Sequence, residues 1–149
     1  MTKPFIEELV KSMTIEEKLA QMTQLSPMFF GAEDSIDLTG PMNELNLKSE
    51  WIKNIGSTLN AFGAQKLREM QDKNLRENPH KIPLIFMADV IHGYKTIFPI
   101  PLAMGCSFNP DTFEKAAEIA AKESSASGIH LTFYPMADLV RDPRWGRVM

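Results

Sequence analysis

Pro83-Leu-Ile-Phe-Met-Ala-Asp-Val90 is nearly unbroken in apolar residues and shows no polar–apolar alternation. A strand with one solvated face alternates, whereas a strand covered on both faces does not, so this segment predicts an interior strand of a parallel sheet. Parallel strands need crossover connections, usually helical, which commits the chain to an α/β fold. The one polar member of the run, Asp89, stands at its C-terminal end.

The flanking sequence supplies the crossovers. Ile55-Gly-Ser-Thr-Leu-Asn60 is a short β-prone run, and Gln65 to Arg76 follows with Leu67, Met70, Gln71 and Leu75 near one helical face. Asn109-Pro-Asp-Thr112 opens a second helix, with Asn109 as N-cap, Pro110 in the first turn and Asp111 at the positive end of the dipole. Its expected buried stripe is Phe113, Ala116, Ala117, Ala120 and Ala121; Glu118 and Lys122 form an exposed i,i+4 pair, and Gly128 turns the chain. Ile129 to Tyr134 then predicts a third strand, stopped by Pro135. Upstream, Thr14-Ile-Glu-Glu17 has the form of a capping box, with Ile15, Leu19 and Met22 at helical spacing behind it. Residues 1–25 are thus expected to be an N-terminal helical segment, and 26–54 an irregular connection with a short helix.

Strand, helix, strand, helix, strand leaves two architectures open. A doubly wound nucleotide-binding fold puts a Gly-rich turn after its first strand, and Asn60-Ala-Phe-Gly63 offers no G-x-G-x-x-G. A (β/α)8 barrel collects functional residues at the C-terminal ends of its strands, where Asp89 and the loop after Tyr134 fall. The expected fold is therefore α/β, the N-terminal part of a (β/α)8 TIM-type barrel, incomplete at about three βα units. A full barrel takes roughly 250 residues, so a 149-residue chain is expected to be a truncated one. An open sheet also leaves an unpaired edge and an apolar face, which predicts poor stability in isolation.

A net charge of −3 and a pI near 5.6 provide no basic field for a phosphate backbone, so nucleic acid is not an expected partner. No window approaches the ~18 apolar residues of a membrane helix, and Glu7 and Glu8 interrupt the stretch where an export signal needs an apolar run. The single cysteine, Cys106, fits a reducing compartment and is expected to be a small buried hydrophobe. A cytoplasmic location is the expectation. His80, His92 and His130 lack ligand-like spacing, so neither metal nor cofactor is expected.

Two segments are unlike ordinary core or loop: Ala88-Asp-Val-Ile-His-Gly-Tyr-Lys-Thr-Ile-Phe-Pro99 and Tyr134-Pro-Met-Ala-Asp-Leu-Val-Arg-Asp-Pro-Arg-Trp-Gly-Arg147. There the sequence resembles glycoside hydrolase family 3, whose members carry a D-x-x-H-G motif followed by an F-P turn, and then P-x-x-D-x-x-R-D-P-R-W-G-R. The resemblance extends to the start at Thr14, to Gly56-Ser and to Ile82-Pro. It implies a retaining, exo-acting β-glucosidase that hydrolyses terminal non-reducing β-D-glucosyl residues, with an N-terminal barrel and an active site finished by a C-terminal α/β domain. β-Xylosidase or N-acetylhexosaminidase activity of the same family, or a non-catalytic carbohydrate-binding fragment, are the alternatives.

By the same resemblance Asp89 and Arg147 bind the terminal sugar. A strand-end carboxylate accepts short charge-assisted bonds from hydroxyls, and a guanidinium fork donates to a hydroxyl and a carboxylate together. From the residues alone, Asp89 could equally cap its own turn. His92 beside Gly93 is expected as a supporting residue; Asp138, Arg141, Asp142 and Arg144 are expected to form an ion-pair cluster that holds the loop, and Trp145 to pack it. Retaining hydrolysis needs two carboxyl groups about 5 to 5.5 Å apart. In the family the nucleophile lies on a later strand and the acid/base lies further on, so neither is placed in this chain. The expected partners are a β-glucoside or oligosaccharide and the missing C-terminal remainder of the same polypeptide, with no membrane.

Overall fold

The computed structural model describes residues 3–30, 48–136 and 139–146. Along the chain run α1 (Lys3–Ser12), α2 (Ile15–Gln21), β1 (Gln24–Leu25), α3 (Ser49–Ile52), β2 (Ser57–Leu59), α4 (Ala64–Glu77), β3 (Ile85–Ala88), α5 (Pro101–Gly105), α6 (Pro110–Ala126) and β4 (Leu131–Thr132), with 3-10 turns at Pro27–Phe30 and Pro143–Trp145. The strands form one sheet in the order β1-β2-β3-β4, every pair parallel. Parallel crossovers are right-handed, so an order that never reverses places every connecting helix on the same face. A doubly wound sheet reverses and has helices on both faces. The unreversed order makes this an arc of a (β/α)8 barrel.

The arc contains one strand more than the sequence suggests. Gln24 pairs with Ser57 and Leu25 with Thr58, but two residues wedged between the end of α2 and Pro27 are too few to show a period. The five-residue α5 escapes for the same reason. The capping box at α2 forms in full: the Thr14 hydroxyl accepts from the Glu17 N–H, and the Glu17 carboxylate accepts from the Thr14 N–H. Glu17 also meets His80 at 3.1 Å, which ties α2 to the loop before β3. Gly56 permits a second close approach, because a Cβ there would lie 2.0 Å from the Gln21 carbonyl oxygen.

Strand alternation sorts the sheet's two faces. Thr58, Phe86 and Ala88 point to the helices, where Phe86 and Ala88 join a buried cluster with Leu67 of α4 and Ala120 of α6. Met87 lies opposite Leu131 on the other face, with Ile85 two residues back; Ile85 is 46% and Leu131 40% exposed. That second face is the one a closed barrel fills with branched side chains.

Polar side chains complete the helix-side packing. On α4, Leu67 and Asn74 are buried and Met70, Gln71 and Leu75 half-buried, which is the expected face with an asparagine added. The Gln71 amide bonds both the N–H and the carbonyl of Leu84, and the Asn74 amide donates to the Ile82 carbonyl, so the segment entering β3 is hydrogen-bonded to side chains before its ladder begins. On α6 the covered stripe is Phe113, Ala116, Ala120 and Ser124, narrower than expected: Ala117 and Ala121 are exposed, Ser124 joins, and its hydroxyl is satisfied by the Ala120 carbonyl at 2.7 Å. Cys106 is exposed, not buried, because it ends the short α5 at the surface.

Candidate functional site

The C-terminal ends of β2, β3 and β4 converge around Asp89. Its backbone N–H donates to Asn60 Oδ1 at 3.2 Å, and the Asn60 N–H donates back to the Met87 carbonyl at 2.8 Å. Asn60 has a φ of 58°, the left-handed region in which asparagine is among the most tolerated residues. On the other side, the Phe133 N–H donates to the Ala88 carbonyl at 3.3 Å, just ahead of the cis Tyr134–Pro135 peptide. Asp89 is exposed, and among the described residues no side chain bonds its carboxylate. No backbone N–H bonds the carboxylate as an Asx turn would either, among the described residues, and the residue is fixed there through its own N–H.

Beyond Asp89 the chain makes a tight loop. The Phe98 N–H donates to the His92 carbonyl at 2.6 Å, and Gly93 pairs antiparallel with Ile97. Gly93 has a φ of 102°, and a Cβ there would come within 1.9 Å of the Thr96 oxygen, so only glycine fits. His92 is half-buried; its Nδ1 is enclosed without a partner among the described residues, beside Ala116, Ala120 and Tyr134.

The tip of this loop is held by Glu123 of α6, a residue to which sequence pattern gave no role. Its carboxylate accepts from the Lys95 N–H at 2.7 Å, the Thr96 N–H at 2.8 Å and the Thr96 hydroxyl at 2.6 Å. The Thr96 hydroxyl, then the Thr96 N–H and Lys95, hold this carboxyl below the ordinary range. A depressed native pKa stabilises the loop above the unfolded value of about 4.3, and that contribution is lost as pH falls through the lower native value. Glu123→Gln is expected to make amide exchange at Lys95 and Thr96 several-fold faster at neutral pH and to remove the acid dependence of that exchange; unchanged protection there would exclude the clamp.

Arg144 pairs with Asp142, whose carboxylate also caps the Pro143–Trp145 turn by accepting from the Arg144 N–H at 2.9 Å. Arg144 holds the Asp142 carboxyl below the usual carboxylate range. The pair stands in solvent, with side chains 90% and 48% exposed, so this is a local turn lock and not a buried cluster. Arg141 is exposed and bonded to neither among the described residues, and Trp145, 56% exposed, is not packed into the loop. Arg147 and Asp138 lie outside the described residues. His130 is structural: its Nδ1 accepts the Phe86 N–H at 3.0 Å and its ring stacks on Phe86. Among the described residues no three His, Cys, Asp or Glu side chains gather as a metal site, and no helix is long and apolar enough to cross a membrane.

The chain is similar to known proteins along nearly its whole length. Residues 14–149 match the family described as the glycosyl hydrolase family 3 N terminal domain. The "Periplasmic beta-glucosidase" of Salmonella typhimurium is 37% identical over 145 residues, covering 96% of this chain and 17% of that protein. A "Putative beta-xylosidase" of Formosa agariphila is 31% identical over 157 residues, covering 96% and 20%. The crystal structure of a β-glucosidase from Listeria innocua in complex with glucose superposes with a TM-score of 0.90 at 51% identity, covering 99% of this chain and 21% of that one. The chain thus spans about a fifth of the length of its relatives. The expected cytoplasmic location is overturned by the Salmonella protein, which is periplasmic by name; two glutamates near the start of a chain that matches only part of its relatives say nothing about compartment. The parallel sheet order and the similarity from residue 14 onward agree, and the chain belongs to glycosyl hydrolase family 3, within its N-terminal domain.

Proposed function

We propose that this chain forms the first arc of a retaining β-glucosidase barrel and that Asp89 binds the terminal sugar of a β-glucoside there. The observation that carries the reading is the likeness to the glucose-bound Listeria innocua enzyme over 99% of the chain, with Asp89 exposed at the end of β3. Arg147 is the second sugar contact in this reading. His92, Asp142 and Arg144 support the two loops, with Asp138, Arg141 and Trp145 in the same segment. The remainder of a longer polypeptide supplies the nucleophile and the acid/base, because retaining cleavage needs a close carboxyl pair; the 149-residue chain alone is therefore inactive. A β-xyloside is the second reading, favoured by the Formosa agariphila relative.

Substituting this chain for the matching segment of the Listeria innocua enzyme separates these readings. The chimera is expected to cleave 4-nitrophenyl β-glucoside at least about tenfold better, in kcat/KM, than the β-xyloside, since a site built around a hydroxymethyl group forgoes roughly 1–3 kcal/mol without it. The opposite preference would transfer the assignment to the xylosidase, and a folded chimera that cleaves neither would remove both.

A further inference from the structure

We infer that Asn60 is a positioning residue for Asp89: it sets the strand-end backbone from which the Asp89 carboxylate meets the substrate. The inference rests on the proposed role of Asp89 and adds a residue from a different strand. Asn60 is the first residue past β2 and Asp89 the first past β3. Two hydrogen bonds join them across the sheet, one accepted by the Met87 carbonyl and one donated by the Asp89 N–H to Asn60 Oδ1. The second continues the ladder after the strands themselves have ended. It does so because the backbone of Asn60 has turned into the left-handed region, at a φ of 58°, and its side chain takes the place a backbone carbonyl would occupy.

The requirement at this position is therefore double: tolerance of positive φ and a short side-chain acceptor. Asparagine and aspartate meet both, glycine meets only the first, and aliphatic residues meet neither. A donor at Asp89 also fixes which end of the Asn60 amide faces it. On the other flank Asp89 has only the 3.3 Å bond from Phe133 to its predecessor Ala88, so Asn60 holds the only bond that the Asp89 N–H itself makes among the described residues.

Two readouts test this, one without catalysis. In the 149-residue chain, Asn60→Gly is expected to speed hydrogen exchange at the Asp89 amide about tenfold, while Asn60→Asp retains the protection. In the Listeria innocua chimera, Asn60→Gly is expected to raise KM for an aryl β-glucoside about tenfold with kcat changed less than about twofold, and Asn60→Asp to recover most of that loss. Parental exchange at Asp89 in Asn60→Gly, or equal losses in Asn60→Gly and Asn60→Asp, would overturn the positioning role. If the unmutated chimera has no glucosidase activity, the proposed function fails, and the exchange experiment alone decides whether Asn60 sets the Asp89 backbone.

Discussion

Asp89→Ala, made in the chimera with the Listeria innocua enzyme, is expected to lower kcat/KM for an aryl β-glucoside by about a thousandfold. A carboxylate can accept from two sugar hydroxyls, and each charge-assisted bond contributes roughly 1.5–3 kcal/mol, so losing both costs about 3–6 kcal/mol of transition-state binding. Asp89→Asn keeps the shape and one acceptor and is expected to fall between. Among the described residues the strand end is held through the Asp89 N–H and not its carboxylate, so the alanine variant should fold as its parent does. A loss below threefold, with unchanged thermal stability, would mean that Asp89 does not touch the sugar.

The largest effect on stability is expected at Phe86. Its side chain, 3% exposed, fills the space between β3 and the helix layer, packs in the cluster that includes Leu67 and Ala120, and stacks on His130 with ring centroids 5.5 Å apart. Phe86→Ala removes the buried area and leaves a cavity, at a cost of about 3–5 kcal/mol. An open arc with Ile85 and Leu131 half-exposed on its inner face has little stability in reserve, so this variant of the 149-residue chain is expected to lose its cooperative unfolding transition entirely. In the chimera, where the rest of the barrel covers that face, the same change should lower the melting temperature by several degrees and leave KM unaltered. An unfolding transition in the isolated variant equal to that of its parent would refute the placement of the core.

The fold was legible where one residue pattern had one physical reading. The unbroken Leu84–Ala88 run forms the expected interior parallel strand, but only its Phe86–Ala88 face is covered, with Ile85 left 46% exposed on the other, and Asn109-Pro110-Asp111 opens a helix as expected. β1 and α5 were not legible because two and five residues carry no period. Site residues followed the same division. Asp89 announced itself as the one charge in an apolar strand, whereas Asn60 and Glu123 act through bonds 29 and 27–28 residues distant in sequence, which no local pattern encodes. Asn60 did leave a trace, as a residue tolerant of positive φ directly after a strand. The expected ion-pair cluster of Asp138, Arg141, Asp142 and Arg144 reduces, among the described residues, to the exposed Arg144–Asp142 pair, since burial and pairing depend on what the chain folds against.

The most direct test of the account is a crystal structure of the chimera with glucose bound. The account predicts two glucose hydroxyls within about 2.5–2.9 Å of the Asp89 carboxylate oxygens, with Asn60 Oδ1 still on the Asp89 N–H; glucose bound with no hydroxyl within hydrogen-bonding reach of Asp89 would contradict it.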